Sequence, residues 1–368
     1  MNGVGTPQSL PTPISVLLTQ ALIPTGIPPP SPDTFVKDTV VTTESATLYT
    51  NPDRNLAMEL VRATEAAAIR AVPFIGRGNK LGADGAAVDA MRTFLGTVNF
   101  DGVVVIGEGE KDHAPMLFNG EHVGNGNGPA CDIAVDPIDG TSLTAAGRQN
   151  ALSMIAVADR GSMLDASTVY YMQKIAAGAE GIGVIDIRKP IGENIRALAK
   201  AKGKDVSDIT VAVLDRPRHA ELIDDIRAAG AGTRLMLDGD VAGSINAAMY
   251  GTRIDMCAGI GGSPEGVVTA CAMKALGGVI QTILHPTDDE QKQRGLDAGL
   301  TFDHVYDADE LVKSENTYFV ATGVTDGGLV KGVRRLGPVI RTESIILRSK
   351  SGTIRRILAD HLASKWLE

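Results

Sequence analysis

The segment CDIAVDPIDGTSL (residues 131–143) joins an apolar run to a turn that carries two carboxylates. Residues 131–135 predict a short strand, since a mostly apolar run there ends at turn-forming residues. Asp136 and Asp139 follow three residues apart, with a proline between them and a glycine after them. Asp, Pro, Gly and Ser are residues that turns prefer, so the segment alone fits a surface turn as well as a site for cations and phosphate. The rest of the sequence has to decide between these interpretations.

The composition of the 368-residue chain is typical of a globular α/β protein. Hydrophobic residues make up 43% of it, enough for a large core, and the net charge of −9 argues against a nucleic-acid-binding protein. Three widely spaced cysteines predict neither a disulfide framework nor a zinc ribbon. No run approaches the roughly 20 apolar residues of a membrane span. We therefore expect a cytoplasmic protein without a nucleic-acid or membrane partner.

Three regions of the chain differ in their predicted structure. Residues 1–51 contain no arginine, and the first 36 residues contain no lysine either, so they lack the basic residues of secretory and transit signals. We expect this region to be a flexible extension. Residues 52–185 are predicted to form a first α/β half. Residues 186–368 are predicted to form a second half in which strands and helices alternate, as in a parallel or mixed sheet covered by helices.

Apolar runs and capping residues predict the individual elements. Asn51-Pro52 predicts the start of a helix that ends near residue 71, and Asp84 predicts the N-cap of a second helix after a loop at 76–83. Further helices are predicted between the later strands and from about Thr353 to the end. Strands, the first and third buried on both faces, are predicted at residues 103–107, 131–135, 151–158, 210–215, 233–238, 254–259, 279–284, 316–324 and 343–349.

Acidic residues lie at the ends of five of these predicted strands or at the helix starts that follow. They are Glu108 and Glu110, Asp136 and Asp139, Asp215, Asp238 and Asp240, and Glu265. Ligands of α/β sheets bind where strands end and loops begin. A single acid at a helix N-terminus is explained by the helix dipole, but five acidic ends are not. Carboxylates without a converging His or Cys favour hard cations, so the pattern predicts Mg²⁺ or Mn²⁺ rather than structural zinc.

Other catalytic motifs are absent from the sequence. It contains no His pair of a zinc hydrolase, no G-x-S-x-G elbow and no G-x₄-G-K-[ST] loop. Residues 259–262 follow a strand and precede a helix, but Pro264 replaces the last glycine of a dinucleotide fingerprint, which argues against a dehydrogenase. Phosphate binding would thus depend on cations, on scattered Arg or Lys, and on backbone N–H groups, which a short helix starting at Thr141 would supply.

Five motifs occur in one order: IGEGE (106–110), DPIDGT (136–141), DRPRH (215–219), DGDVAG (238–243) and GIGGSPEG (259–266). DPIDGT resembles an element of the metal-dependent sugar and inositol phosphatases. The full set resembles class II fructose-1,6-bisphosphatase of the GlpX type over about residues 52–360. The resemblance implies a layered α/β/α/β/α fold with two mixed sheets. It also implies hydrolysis of the 1-phosphate of fructose 1,6-bisphosphate to fructose 6-phosphate and phosphate, a reaction of gluconeogenesis.

The resemblance also implies the residues of the site, with metal ligands mainly in the first half and a substrate site completed by the second. Its metal ligands fall on Asp84, Glu108, Asp136, Asp139 and Glu265. Its substrate contacts fall on Asp139, Gly140, Thr141, Tyr171, Arg216, Pro217, Arg218, Asp238, Gly239, Asp240 and Gly262. We expect Thr141 and Glu108 to orient and help deprotonate the attacking water. Asp139 is Glu in some relatives, and its shorter side chain could change the preferred cation.

Before the resemblance is considered, some of these residues have simpler interpretations. Tyr171 also fits a packed aromatic residue of a strand, and Arg216 and Arg218 also fit a solvated loop. The expected ligand is a sugar bisphosphate, and the expected assembly is a homo-oligomer, either a dimer or a tetramer.

Three other functions stay open at this point. The first is a bifunctional enzyme that also hydrolyses sedoheptulose 1,7-bisphosphate. The second is an inositol monophosphatase, against which the DRPRH and DGD motifs argue. The third is a catalytically silent, metal-binding regulatory relative, which would lack one of the five predicted ligands, whereas this sequence has all five.

Overall fold

A computed structural model of the chain describes residues 56–108 and 116–366. The predicted extension of residues 1–51, the predicted helix start at Asn51-Pro52 and Glu110 lie outside these ranges. The helices are α1 (Ala57–Ala71), α2 (Lys80–Leu95), α3 (Thr141–Ala145), α4 (Ile191–Lys202), α5 (Ala220–Ala228), α6 (Asp240–Ala248), α7 (Ser263–Leu276), α8 (Asp289–Asp297) and α9 (Ala308–Leu311). The strands are β1 (Asp101–Ile106), β2 (His122–Val123), β3 (Ala130–Asp139), β4 (Leu152–Asp159), β5 (Tyr171–Ala177), β6 (Thr210–Leu214), β7 (Gly232–Met236), β8 (Met256–Gly262), β9 (Val279–Leu284), β10 (Tyr306–Asp307), β11 (Tyr318–Gly323), β12 (Arg334–Leu336), β13 (Val339–Arg348) and β14 (Thr353–Leu362).

Two mixed β-sheets form the centre of the protein. The first has eight strands in the order β12-β13-β11-β4-β3-β1-β2, with β14 paired to β13, and the second has six in the order β10-β9-β5-β8-β6-β7. The pairs β1–β3, β6–β7 and β6–β8 are parallel. Pairs such as β3–β4 and β5–β8 are antiparallel. The expected α/β class with two mixed sheets is confirmed.

Helices cover the outer face of each sheet, and a further layer of helices lies between the two sheets. Helices α1 and α2 pack on the outer face of the first sheet, where Leu60 and Met91 belong to the same apolar core as Ile133 of β3. Helices α6 and α7 lie between the sheets, with Ile245 and Val267 in an apolar core that contains residues of both. Helices α4 and α5 cover the outer face of the second sheet. The layers follow the expected order α/β/α/β/α, and no helix of the described ranges is long and apolar enough to cross a membrane.

The strand predictions agree with the structure at nine positions, namely β1, β3, β4, β6, β7, β8, β9, β11 and β13. Strand β4 is buried on both faces as expected, but the prediction for β1 is wrong, because every second residue of β1 is only half-buried. Its outer neighbour β2 is two residues long and leaves β1 close to the sheet edge. The sequence analysis missed β5, where Gln173 and Lys174 interrupt the apolar run.

The predicted C-terminal helix is wrong, because residues from Thr353 form strand β14. Ile354, Ile357 and Leu358 have a spacing that suits a helix face, which explains the prediction. In the structure, β14 pairs with β13 over ten residues. The backbone N–H and C=O groups of this segment form hydrogen bonds with the long edge of β13, and this tertiary pairing outweighs the local sequence pattern.

The start of the second helix also differs from the prediction. Asn79 is the N-cap of α2, and its side chain accepts a hydrogen bond from Gly82 N at 2.9 Å. Asp84 therefore lies inside α2, one turn beyond its start, and is not a capping residue. The predicted loop consequently ends at Asn79, and residues 80–83 are helical. The change places the Asp84 side chain on a helix face instead of in a loop.

Candidate active site

A β-bulge in β3 sets the geometry of the turn that contains both aspartates. Asp136 pairs with Met154 of β4 and Asp139 pairs with Leu152, so β3 has one more residue than β4 in this interval. Side chains alternate along a regular strand, and residues three apart would face opposite sides of the sheet. The additional residue moves Asp139 to the face of Asp136. Both carboxylates therefore line one cleft.

All five residues predicted as metal ligands line this cleft, which has a volume of about 380 Å³. They are called the carboxylate wall here and comprise Asp84, Glu108, Asp136, Asp139 and Glu265. Strands β1 and β3 are parallel, so Glu108 and Asp136 lie at the same sheet edge. Asp84 comes from α2, and Glu265 is the third residue of α7. Four separate elements thus bring the five carboxylates together.

Burial raises the pKa of every carboxyl group of the carboxylate wall. Burial together with the Asp84 charge raises the pKa of Glu108 from 4.5 to about 8. Burial also holds the pKa of Asp136 and of Asp139 well above the usual range, and the charges of neighbouring carboxylates add to the effect. Crowded carboxylates cannot all be ionised in a buried site unless positive charge compensates them. At neutral pH the wall therefore either retains protons or binds cations.

Two oxygens of the carboxylate wall have no hydrogen-bond partner in the described part of the chain. They are Asp139 Oδ2 and Glu265 Oε2, and both are buried. A buried polar atom without a partner costs about 1–3 kcal/mol, and a bound cation would remove this cost. Among the described residues, no group of three or more Asp, Glu, His or Cys side chains is placed to hold a metal ion as it stands. The chemistry of the wall, with oxygen donors and two unpartnered oxygens, nevertheless suits hard divalent cations.

Thr141 lies beside the carboxylate wall, at the start of α3, which confirms the expected short helix. Its Oγ1 lies 3.1 Å from the Ile138 carbonyl oxygen, to which it donates. The same hydroxyl contacts the Asp84 carboxyl group, which in turn contacts Glu108. Gly140 has a φ of +87°, a conformation that favours glycine and that turns the chain from β3 into α3. The N–H groups in the first turn of α3 have no partners within the helix.

A second cleft adjoins the first and shares Asp139, Asp238 and Glu265 with it. The residues called the arginine wall here are Tyr171, Arg216, Arg218, Asp238 and Asp240, and all of them line the second cleft, as do Gly239 and Gly262. Pro217 lies in a 3₁₀ turn between the two arginines and lines neither cleft. With this exception, the predicted substrate contacts lie in the two adjoining clefts.

Charged groups of the arginine wall have partners of opposite charge or polarity. Arg218 donates from Nε and Nη2 to the Ile260 carbonyl oxygen, at 3.2 and 2.9 Å. Its guanidinium carbon lies 5.2 Å from the centre of the Tyr171 ring. Arg216 Nη2 lies 3.7 Å from Asp238 Oδ1. Tyr171 is half-buried at the start of β5, and its exposed part belongs to the cleft.

The sequence analysis missed Lys174, a buried lysine of β5 close to both clefts. Its Nζ lies 2.6 Å from Asp240 Oδ2 and donates to the Gly262 carbonyl oxygen at 2.9 Å. A Cβ atom at Gly261 would collide with the Asp240 carboxylate and crowd the Lys174 ammonium group, so glycine is required where these groups meet. A lysine within the mostly apolar YMQKIAA run was the available signal. Lys174 thus connects β5, the start of α6 and the end of β8.

His219 is a second residue whose position the sequence did not predict. It is buried, its Nδ1 donates to the Leu214 carbonyl oxygen at 2.8 Å, and its Nε2 accepts from Ile260 N at 2.7 Å. Burial lowers the pKa of His219, so the ring is neutral at pH 7. Through these hydrogen bonds, the imidazole connects the loop that contains Arg216 and Arg218 with the end of β8.

Comparisons with known proteins identify the family of this chain. A family profile described as bacterial fructose-1,6-bisphosphatase, glpX-encoded, matches residues 54–361. The chain belongs to this family. A class 2 fructose-1,6-bisphosphatase of Haemophilus influenzae is 44% identical over 322 residues, which cover 84% of this chain and 96% of the relative. A fructose-1,6-bisphosphatase 1 class 2 of Escherichia coli K12 is 44% identical over 325 residues, which cover 84% of this chain and 95% of the relative.

Membership of the bacterial fructose-1,6-bisphosphatase family confirms the resemblance that the five motifs carried. The family is one of metal-dependent phosphatases, and its matched region contains both clefts. The roles of individual residues in this chain and the identity of the cation stay predictions.

Proposed function

We propose that this chain hydrolyses the 1-phosphate of fructose 1,6-bisphosphate to fructose 6-phosphate and phosphate. The observation that carries the proposal is the adjacency of a carboxylate-lined and an arginine-lined cleft that share Asp139, Asp238 and Glu265. A sugar with one phosphate group in each cleft has the shape that this arrangement accepts. The names of the 44% identical relatives support the same substrate.

Divalent cations, Mg²⁺ or Mn²⁺, are the proposed cofactors of the carboxylate wall. Asp84 and Glu108 would hold one cation, and Asp136, Asp139 and Glu265 would hold the others. The unpartnered oxygens of Asp139 and Glu265 support this assignment. When bound, the cations would neutralise phosphate charge, acidify the attacking water and stabilise the leaving oxygen.

The residues of the chain orient the water and the phosphoryl group. The Thr141 hydroxyl lies beside Asp84, so by turning away from the Ile138 carbonyl oxygen it would donate its proton to that carboxylate while it accepts a hydrogen bond from the water. Glu108, which contacts Asp84, would accept the proton once it is ionised. The free N–H groups at the start of α3 would bind the phosphoryl oxygens, since helix starts favour anions.

The arginine wall would hold the rest of the substrate. Arg216 and Arg218 offer guanidinium groups to the 6-phosphate, for which their planar donors are suited. Asp238 and Asp240 would accept hydrogen bonds from sugar hydroxyls, and Lys174 holds Asp240 in place. Tyr171 and the Gly262 backbone would close the pocket around the sugar.

We further propose a cytoplasmic homo-oligomer, either a dimer or a tetramer. The three cysteines, which are buried and form no disulfide bond, support a reducing compartment. Sedimentation velocity would determine the assembly, and a purely monomeric species at micromolar concentration would contradict the proposal.

A direct test is to follow the reaction products by ³¹P NMR with three substrates side by side. We expect fructose 6-phosphate and phosphate from fructose 1,6-bisphosphate, and no release from inositol 1-phosphate. Comparable release from sedoheptulose 1,7-bisphosphate would extend the function to a bifunctional enzyme. The absence of hydrolysis of either bisphosphate with Mg²⁺ and with Mn²⁺ would favour a silent regulatory relative.

A further inference from the structure

A third cleft, of about 600 Å³, lies next to the arginine wall and is not used by the proposed reaction. Asp238 and Gly239 line it from the side of the arginine wall, and Ala242 and Asn246 of α6 form part of its surface. Arg216, Arg218 and the residues of the carboxylate wall do not line it. Its volume is within the range of small-molecule sites.

Three arginines from three different elements line this third cleft. Arg234 comes from β7, Arg253 from the segment between α6 and β8, and Arg356 from β14 of the other sheet. The side chains of Arg234 and Arg253 have no hydrogen bond or ion pair with any residue in the described ranges. Arg356 donates to the Leu329 carbonyl oxygen at 2.7 Å, and its Nη1 lies 3.8 Å from Glu343 Oε1, so Arg234 and Arg253 are the two arginines of the cleft whose charge has no partner among the described residues.

The charge of the third cleft is positive, although the chain as a whole has a net charge of −9. Asp238 is its single acidic lining residue, and that carboxylate already lies 3.7 Å from Arg216. Three guanidinium groups around one cavity repel each other unless an anion lies between them. Guanidinium groups bind phosphate with paired N–H donors, and they suit phosphate better than a single ammonium group would.

The uncharged lining fits the body of a small phosphorylated metabolite. Asn246, Thr233 and Tyr250 offer polar groups, and Tyr250 is 86% exposed at the rim. Met236 and Ile254 supply a partly buried apolar surface. A hexose phosphate or a mononucleotide would fill this space, whereas inorganic phosphate alone would leave most of it to water.

We propose that the third cleft is an effector site for a small phosphomonoester. Helix α6 connects it to the substrate, because Asn246 lines the third cleft and Asp240, at the start of the same helix, lines the arginine wall. A ligand that moves α6 or the preceding loop at residues 238–240 changes the affinity for the sugar bisphosphate. By linkage, the sugar bisphosphate changes the affinity for the effector by the same factor.

Isothermal titration calorimetry in EDTA tests the site with glucose 6-phosphate and with adenosine 5′-monophosphate as probes. The proteins compared are the wild type, Arg234→Ser/Arg253→Ser, Arg216→Ser/Arg218→Ser and the exposed-arginine control Arg196→Ser. We expect at least one probe to bind the wild type. Its affinity for Arg234→Ser/Arg253→Ser should be lower by about tenfold or more, which corresponds to the loss of about one guanidinium–phosphate interaction. The affinity is expected to be unchanged in the other two variants.

Two results would overturn the effector site. One is no binding of either probe to the wild type at millimolar concentration. The other is binding that survives in Arg234→Ser/Arg253→Ser or that depends on Arg216 and Arg218, since the probe would then occupy the substrate cleft. Because binding is measured without turnover, the result is independent of the proposed reaction. If turnover is observed, basal activity of Arg234→Ser/Arg253→Ser should match that of the wild type.

Discussion

The carboxylate wall and the arginine wall adjoin each other, but they differ in whether their charged groups have partners of opposite charge in the chain. In the arginine wall, Arg216 lies near Asp238, and Lys174 forms an ion pair with Asp240. In the carboxylate wall, acids are the neighbours of acids, their pKa values are raised, and two buried oxygens have no partner among the described residues. The charges of the arginine wall are thus balanced by other residues of the chain, whereas those of the carboxylate wall are balanced by protons or cations from solution.

The difference indicates which part of the site is formed in advance. Ion pairs and hydrogen bonds fix the arginine wall before the substrate arrives, so binding there needs little rearrangement. By the proposed assignment, the carboxylate wall would reach its working state only with cations, and the binding of cations would release protons. Substitutions in the two walls should consequently affect different steps: turnover for the carboxylate wall and substrate affinity for the arginine wall.

The largest effect is expected for Asp136→Asn, which removes a charge from the centre of the carboxylate wall. We expect metal-dependent kcat to fall by about 10³-fold or more, since electrostatic stabilisation by a metal is worth several kcal/mol. Phosphate release at rising Mg²⁺ concentration measures it, with the exposed Asp208→Asn as the control. Recovery of normal turnover at ordinary Mg²⁺ concentrations would remove Asp136 from the proposed role.

Thr141→Ala should have the next largest effect. We expect kcat to fall by about 10²-fold or more, as is common when a group that handles the proton is lost, with KM nearly unchanged. Thr141→Ser keeps the hydroxyl and should retain most of the activity, and Ser142→Ala, in the same turn, serves as the control. A near-normal kcat in a folded Thr141→Ala protein would show that Thr141 takes no part in the chemistry.

Lys174→Met tests whether the arginine wall governs affinity. We expect KM for fructose 1,6-bisphosphate to rise about tenfold, since the partly buried Asp240 loses its partner, while hydrolysis of p-nitrophenyl phosphate changes little. Loss of the buried pair also destabilises the fold by about 3–5 kcal/mol, so circular dichroism must confirm folding. The exposed Lys200→Met is the matched control. An equal fall in activity towards both substrates would assign Lys174 a purely structural role.

The smallest effect is a pH dependence of stability that cations counteract. The pKa of Glu108 is raised from 4.5 to about 8 in the folded protein, so between these values the folded chain keeps a proton that the unfolded chain has lost. Stability in EDTA therefore falls as pH rises through this interval. Mg²⁺ should raise Tm, as measured by differential scanning calorimetry, and this rise should be larger by about 2 °C or more at the upper end of the pH interval than at the lower end. An increase that does not grow with pH, or one that persists in Glu108→Gln, would contradict this account of the wall.

The order of the elements and the acidic strand ends could be predicted from the sequence because they depend on local patterns. Apolar runs gave nine strands, and the position of Glu108, Asp136 and Glu265 at strand ends or helix starts placed them in one cleft. Parallel strands carry their carboxyl ends to the same edge, so the convergence follows from topology.

Features that depend on tertiary contacts could not be predicted. The apolar residues of β14 have the spacing of a helix face, but the segment forms a strand because it pairs with the free edge of β13. The capping role of Asn79 in place of Asp84 depends on local geometry that no pattern revealed. Lys174 and His219 act through backbone carbonyl groups and N–H groups of distant segments, and a sequence does not show which segments will be near.

The measurement that tests the central claim most directly is phosphate release from fructose 1,6-bisphosphate with Mg²⁺, with Mn²⁺ and with EDTA. We expect turnover with at least one of the cations, none in EDTA, and full recovery when the cation is restored. Equal phosphate release in EDTA and in Mg²⁺ would contradict the view that the carboxylate wall works through bound cations.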